Sequence, residues 1–360
     1  MKIKDKGMEW VKVEKIIVIS IVLLAIGGCI SWLIFGGQKK SKTIHTRSFE
    51  KHLSTFNNRS LKKSERHGFE EVVLQVPEDD KGHVSLRRGE LITRSNAPAT
   101  IILFHGFKCK RSDVRPLRSF MFADYNTLIF DFRAHGVHAH PNECCSFGVD
   151  EVKDVKAAVD FVRTHPQLKD KPVIAYGISM GAAAAIEAQS RYDNKLFDAL
   201  IIDSPFDSME NVVGRGLHNL RYTLLGIDVL LPLRTLLKKA MYSPFVDTIL
   251  KALLRLVGLD GTPVSTCLKP VSPIESIKNV TVPCLIIGCS QDETTPVEAF
   301  ESVYENAATD QKELWIVDGH GHLDTFFHKP EEYIHKVRDF LTRIVSDLKV
   351  KAWKEWFVGS

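Results

Sequence analysis

A chain of 360 residues, 44% hydrophobic and 26% charged, is long enough for one large domain or two ordinary ones and has the composition of a globular protein. Its formal net charge of +4 is mild and much of the basic excess lies near the N-terminus, which argues against a broad basic footprint for nucleic acid. Seven cysteines, at 29, 109, 144, 145, 267, 284 and 289, form no C-x-x-C pair and no regular even framework, so neither a zinc ribbon nor a disulfide scaffold is suggested; the adjacent Cys144 and Cys145 have no assigned role.

Residues 1–15 form a basic N-terminal segment, with lysines at 2, 4, 6, 12 and 15. Residues 16–35, "IIVISIVLLAIGGCISWLIF", carry no charge, and a helix of that length at ~1.5 Å per residue spans the ~30 Å hydrocarbon core. The expectation is a single-pass membrane helix. A cleaved signal peptide fits less well, because the apolar run exceeds a normal h-region and no A-x-A-like site follows. Lys39, Lys40, Lys42 and Arg47 follow the helix, so the positive-inside count nearly balances. The slightly larger N-terminal count places the rest of the protein on the non-cytoplasmic side, and the sequons at Asn58 and Asn279 permit that placement.

A polar, basic linker over 36–66 leads into a domain expected to span 67–350, with a tail at 351–360. "EEVVLQV" (70–76) and the stretch through "GELITR" read as early strands. "TIILFHG" (100–106), "NTLIFDF" (126–132), "KPVIAYG" (171–177), "DALIIDS" (198–204), "VPCLIIGCS" (282–290) and "KELWIVDG" (312–319) read as buried strands. Between them, "EVKDVKAAVDFVRTH", "GAAAAIEAQSRY", "PVEAFESVYENA" and "PEEYIHKVRDFLTRIVSDL" space their apolar residues as helices do. This alternation predicts an α/β fold with a mostly parallel central sheet and helices on both faces.

From about 206 to 272 the alternation gives way to nearly continuous helical pattern. Its clearest piece is "SPFVDTILKALLRLVG", with Ser243 placed to cap, Pro244 at the first helical position, Gly258 past the end, and apolar residues at 245, 246, 249, 250, 253, 254 and 257. The insertion reads as a helical cap over an active site, its apolar face meeting a hydrophobic substrate or the bilayer; the alternative is that it packs on the core.

"KPVIAYG" runs directly into "ISMGAAAAIEAQ", which puts Ser179 where a buried strand turns into a helix. Glycines at 177 and 181 let strand and helix approach closely, while the turn exposes the serine hydroxyl at a helix N-terminus that favours developing negative charge. A serine hydroxyl is a weak nucleophile, so a histidine must take its proton and an acid must hold that histidine. "GCSQDETTP" places Asp292 just after one strand, and "DGHGHLDTF" places His320 and His322 after the next.

"HGF" at 105–107, "DFRAHG" at 131–136, "GISMG" at 177–181, "CSQDETTP" at 289–296 and "GHGHLDT" at 319–325 follow one another in the order of a known family. From about 68 to 346 the chain resembles the α/β-hydrolases, particularly the serine-hydrolase branch that includes esterases, lipases and serine aminopeptidase-like proteins. The resemblance implies Ser179 as nucleophile, Asp292 as acid and His322 as base, His322 being preferred over His320 because "GHGH" matches a G-x-G-H ending. It also implies an oxyanion hole made by the backbone N–H groups of Phe107 and Met180. Asp203, ending the strand before the insertion, is the second candidate for the acid, and Ala134 departs from the family's usual D-x-R-G-H-G.

His135, His138 and His140, and His320 with His322, are paired closely enough to raise a metal reading, but no carboxylate or cysteine stands at a familiar ligand spacing, so no metal is expected. No Walker A and no G-x-G-x-x-G after the first strand is present, and no cofactor is expected. The reading is a membrane-anchored serine hydrolase that cleaves an ester, thioester or amide of a small-molecule or lipid-like acyl substrate. A serine peptidase or acyltransferase on the same triad, and a non-catalytic membrane-tethered binding protein with a hydrolase fold, are the alternatives.

Overall fold

The computed structural model describes residues 68–219, 223–224, 227–228, 240, 242–243, 264–319, 321–322 and 324–358. The expected membrane helix at 16–35, the linker at 36–66, the amphipathic helix after Ser243 and His320 all lie outside the described residues. Among the described residues no helix is long and apolar enough to cross a membrane.

Eight strands form one sheet: β1 (Glu70–Pro77), β2 (Val84–Ile92), β3 (Thr100–Phe104), β4 (Asn126–Phe130), β5 (Val173–Ile178), β6 (Ala199–Asp203), β7 (Cys284–Cys289) and β8 (Lys312–Val317). They lie in the order β1-β2-β4-β3-β5-β6-β7-β8, with β2 antiparallel to both neighbours and every other pair parallel. β3 to β7 are buried at every position, which is why each reads as an unbroken apolar run, whereas β1 alternates and keeps one face exposed.

The helices include α1 (Arg111–Met121), α2 (Glu151–Thr164), α3 (Met180–Arg191), α4 (Met209–Asn219), α5 (Val297–Asn306), α6 (Thr325–His328) and α7 (Pro330–Val358), with a short helical turn at Pro273–Ser276 continuing as a 3-10 turn at Ile277–Asn279. On one face of the sheet, Val155 and Val159 of α2, Ile186 of α3 and Phe300 of α5 close over Ile102, Leu128 and Ile286. On the other, Val114 and Leu117 of α1 and Val337 and Phe340 of α7 close over Ile101, Ile129 and Ile287. Both faces are thus covered, as the strand–helix alternation predicts. α7 continues through Val358, beyond the domain end expected at 350.

α1 was not among the expected elements. Its buried positions 114, 117, 118 and 121 have helical spacing, but one of them is Arg118 and the helix contains Pro116, so the apolar stripe is interrupted.

Of the inserted region, α4 and the return segment 264–272 are the longest described pieces. Phe206, Met209 and Val271 pack with Ala183 in the first turn of α3, so this stem rests on the core. Thr223–Leu224 and Ile227–Asp228 pair in a short antiparallel ladder of their own.

Cys144, which its local spacing leaves without a role, has a remote partner. Cys144 and Cys267 form a disulfide across a sequence separation of 123, with Cα atoms 5.6 Å apart. The adjoining backbone pairs as well: Cys145 N–H donates to Ser265 O at 2.8 Å and Cys267 N–H to Cys145 O at 2.9 Å. A partner so remote leaves no local spacing signal, so the pairing follows from the tertiary fold.

Candidate active site

Ser179 stands between β5 and α3 with φ 52° and ψ −111°, a backbone that a non-glycine residue holds only under compulsion. The compulsion is steric and hydrogen-bonded. A Cβ on Gly177 would lie 2.7 Å from Ala182 Cα, and one on Gly181 would run into Phe104 O and sit 2.7 Å from His105 O. Ser179 N–H donates to Asp203 O on β6 at 2.8 Å, and Ser179 O accepts from Ala183 N–H at 3.0 Å. Only glycine at 177 and 181 lets α3 start this close to β3 and β5, and the tight turn carries Ser179 at its apex.

The loops after β7 and β8 bring the other two residues to it. His322 Nε2 is 2.9 Å from Ser179 Oγ, and its Nδ1 is 2.6 Å from Asp292 Oδ2. With Asp292 accepting, Nδ1 carries the proton and Nε2 is left to accept from the serine hydroxyl. Asp292 is 3% exposed and also accepts from Thr294 N–H and Thr295 N–H, each at 2.8 Å, and from the Thr295 hydroxyl at 2.7 Å. Burial pushes its carboxyl up, but the adjacent His322 and the Thr295 hydrogen bonds outweigh this and hold it below the usual carboxylate range. Sequence reasoning missed Thr295, whose role is set by a turn and carries no spacing signal of its own.

Asp203, the second candidate acid, is engaged elsewhere. Its carboxylate accepts from Tyr333 Oη at 2.6 Å and Ser204 Oγ at 2.9 Å, and Tyr176 Oη lies 2.6 Å behind Tyr333 Oη. Burial raises its pKa to about 6. Asp292, and not Asp203, is therefore the carboxylate hydrogen-bonded to His322.

The "HGF" turn passes close to the serine. A Cβ on Gly106 would lie 3.7 Å from Ser179 Cβ. His105 Nε2 accepts Phe132 N–H at 3.1 Å, while its Nδ1–H donates to Gly106 O at 2.9 Å. Burial, with neighbouring His135, lowers the His105 pKa to about 3, so the ring is a neutral brace. His135 Nδ1–H donates to Arg133 O at 2.8 Å and its Nε2 accepts Lys108 N–H at 3.3 Å; burial lowers its pKa too. His138 and His140 are exposed. Ala134 stands in the same turn at φ 59°, a left-handed conformation that explains glycine as the usual residue there.

Phe107 follows Gly106 and Met180 follows Ser179, and among the described residues neither backbone N–H has a protein hydrogen-bond partner. Among the described residues no group of three His, Cys, Asp or Glu side chains could hold a metal ion. The arrangement can move a proton from Ser179 to His322 against a buried carboxylate, beside two backbone donors.

Residues 101–336 match the model of the Alpha/beta hydrolase family. The Alpha/beta hydrolase domain-containing protein aho-3 of Caenorhabditis elegans is 23% identical over 266 residues, covering 71% of this chain and 61% of that protein, so the chain spans about three-fifths of that relative's length. Polyketide transferase grgF of a Penicillium species is 22% identical over 287 residues, 71% of this chain and 92% of that protein. Among solved structures, the esterase Pf2001 of Pyrococcus furiosus superposes with a TM-score of 0.57 at 24% identity, covering 79% of this chain and 95% of the esterase. With a family model covering well over half of its length, and with this strand order, the chain belongs to the Alpha/beta hydrolase family.

Proposed function

We propose that this protein is a serine hydrolase that cleaves an ester, thioester or amide of a small-molecule or lipid-like acyl substrate. The observation that carries the reading is the continuous relay from Ser179 Oγ to His322 Nε2 at 2.9 Å and from His322 Nδ1 to Asp292 Oδ2 at 2.6 Å. Ser179 Oγ attacks the acyl carbonyl as its proton passes to His322; Asp292 stabilises the imidazolium; the N–H groups of Phe107 and Met180 receive the oxyanion. His322 then returns the proton to the leaving group, and water repeats the sequence on the acyl-enzyme. Likeness to a named polyketide transferase favours a second reading, in which an acceptor other than water takes the acyl group from Ser179. The same triad would serve a serine peptidase, and the tethered binding protein is the reading left if Ser179 does not react.

We place the hydrolase domain outside the cytoplasm, tethered by residues 16–35. Disulfides persist in oxidising compartments, and Cys144–Cys267 supports that side, as do the two sequons. A fluorophosphonate probe tests the chemistry. Wild-type protein should label stoichiometrically, Ser179→Ala should not label, and a folded wild type that fails to react would leave the binding-protein reading standing.

A further inference from the structure

We propose that Phe147 is a positioning residue for the oxyanion hole: clamped by Glu151, it holds its ring against Phe107 and so fixes the direction of the Phe107 N–H. The inference rests on the serine-hydrolase reading above.

Phe147 and Gly148 adopt φ 60° and 122° in succession, and a bulky aromatic residue seldom holds such a backbone. What holds it is Glu151, the fully buried first residue of α2. Its carboxylate accepts Ser146 N–H at 2.9 Å, the Ser146 hydroxyl at 2.8 Å and Gly148 N–H at 2.8 Å, gripping the chain on both sides of Phe147. Gly148 in turn rests on Ala183 and Ala184 of α3, where a Cβ would already be at 3.4 Å. The loop is therefore seated on the helix that Ser179 begins.

From this seat the loop reaches both residues proposed to supply the oxyanion hole, Phe107 and Met180. The Phe147 ring lies 4.7 Å from the Phe107 ring, and Cys145 Sγ lies 3.2 Å from Met180 Sδ. The Gly106–Phe107 peptide plane carries the Phe107 N–H, and it has two handles. Gly106 O is tied by His105 Nδ1–H at 2.9 Å and Cys109 N–H at 3.2 Å, and the other handle is the Phe107 side chain. Phe147 is only partly buried and packs at the edge of the core, a place that does not by itself call for a strained aromatic residue. Holding that second handle does, because a donor displaced by about 1 Å can cost on the order of 10²-fold in rate.

Steady-state hydrolysis of p-nitrophenyl butyrate by the full chain tests this with Phe147→Leu, Phe147→Gly and Phe147→Tyr. Phe147→Leu should lower kcat about tenfold with little change in KM, a part of the ~10²–10³ that follows outright loss of an oxyanion donor. A trifluoromethyl ketone that fills the same hole should lose affinity by a similar factor. Phe147→Gly frees the backbone but gives up the packing of the ring, so kcat should fall at least as far as in Phe147→Leu whatever its change in Tm. Phe147→Tyr, which keeps the ring, should hold kcat near the wild-type value. Unchanged kcat in both ring-deleted variants, or an effect confined to KM, would overturn the inference while an inactive Ser179→Ala leaves the hydrolase reading intact. Full turnover by Ser179→Ala would overturn the reading and the inference together.

Discussion

Asp292 and Asp203 are both aspartates at strand ends, both almost fully buried, and their surroundings drive them in opposite directions. Burial opposes the charge on each. At Asp292 the neighbouring His322 and three hydrogen bonds around Thr294 and Thr295 reverse that cost, whereas at Asp203 two hydroxyl donors do not, and its pKa rises from 3.8 to about 6. The consequences for stability differ in sign. Asp292, depressed in the folded state, contributes stability at neutral pH that is lost as pH falls below its ordinary range. Asp203, raised, binds a proton in the folded chain between about pH 4 and 6 where the unfolded chain has released it, so its contribution declines as pH rises through that window. Asp203→Asn should therefore flatten the decline in Tm over that window and stabilise the protein at pH 7 by up to about 3 kcal/mol. Its amide oxygen can still accept from Tyr333 and its nitrogen can donate to Ser204. Turnover should remain within a few fold of wild type. Asp292→Asn should instead lower kcat by about 10⁴, because an amide favours the wrong imidazole tautomer. If Asp203→Asn proved the more damaging to kcat, the acid would have been misassigned.

Element by element, what the sequence disclosed depended on how directly each contact writes itself into local pattern. β3 to β7 are buried throughout, so their apolar runs announce them, and Ser179 and Asp292 each follow such a run, whereas His322 follows β8, which is only partly buried. α1 shows the opposite case, for its core face carries Arg118. That arginine makes sense only beside Glu90 of β2, which is fully buried and meets Arg118 at 3.2 Å, Arg111 at 3.3 Å and Arg115 more closely still. Arg115 and Arg118 also lie 5.4 and 5.8 Å from the Phe69 ring. A carboxylate that needs three partners from a helix beginning 21 residues away leaves no periodic trace. The same holds for Phe147, whose backbone contradicts its residue type until Glu151 is placed. The Glu90 cluster has a measurable consequence: Glu90→Leu takes the carboxylate from the buried Arg118 and leaves three guanidinium groups close together, of which Arg111 keeps Asp131, and breaking a buried pair from one side costs about 3–5 kcal/mol. Urea unfolding should show a loss of that size, and a loss under about 1 kcal/mol would mean that the arginines find water instead.

At the scale of the whole molecule, the Cys144–Cys267 bond joins the loop before α2 to the segment by which the inserted region returns to the sheet. Closing a loop of 123 residues removes unfolded-chain entropy worth up to about 5 kcal/mol, with measured disulfides more often giving ~2–4. Around it, the folded chain already aligns the two segments through the Cys145 and Cys267 backbone hydrogen bonds and the Lys269–Asp150 ion pair at 2.6 Å. Cys144→Ser/Cys267→Ser should therefore fold to the same arrangement and lose about 2–5 kcal/mol in urea unfolding, without loss of labelling at Ser179. The adjacent Cys145 raises the possibility of exchange, since it sits one residue from the bond. Burial and the nearby Glu151 carboxylate push its thiol well above the usual range, so it is not the thiolate that attacks a disulfide. The wild type should accordingly show Cys144–Cys267 as a non-scrambling disulfide by peptide mapping after alkylation at pH 7. Recovery of a Cys145–Cys267 peptide would show instead that the two neighbouring thiols share the bond, and that the return segment is held in two registers rather than one.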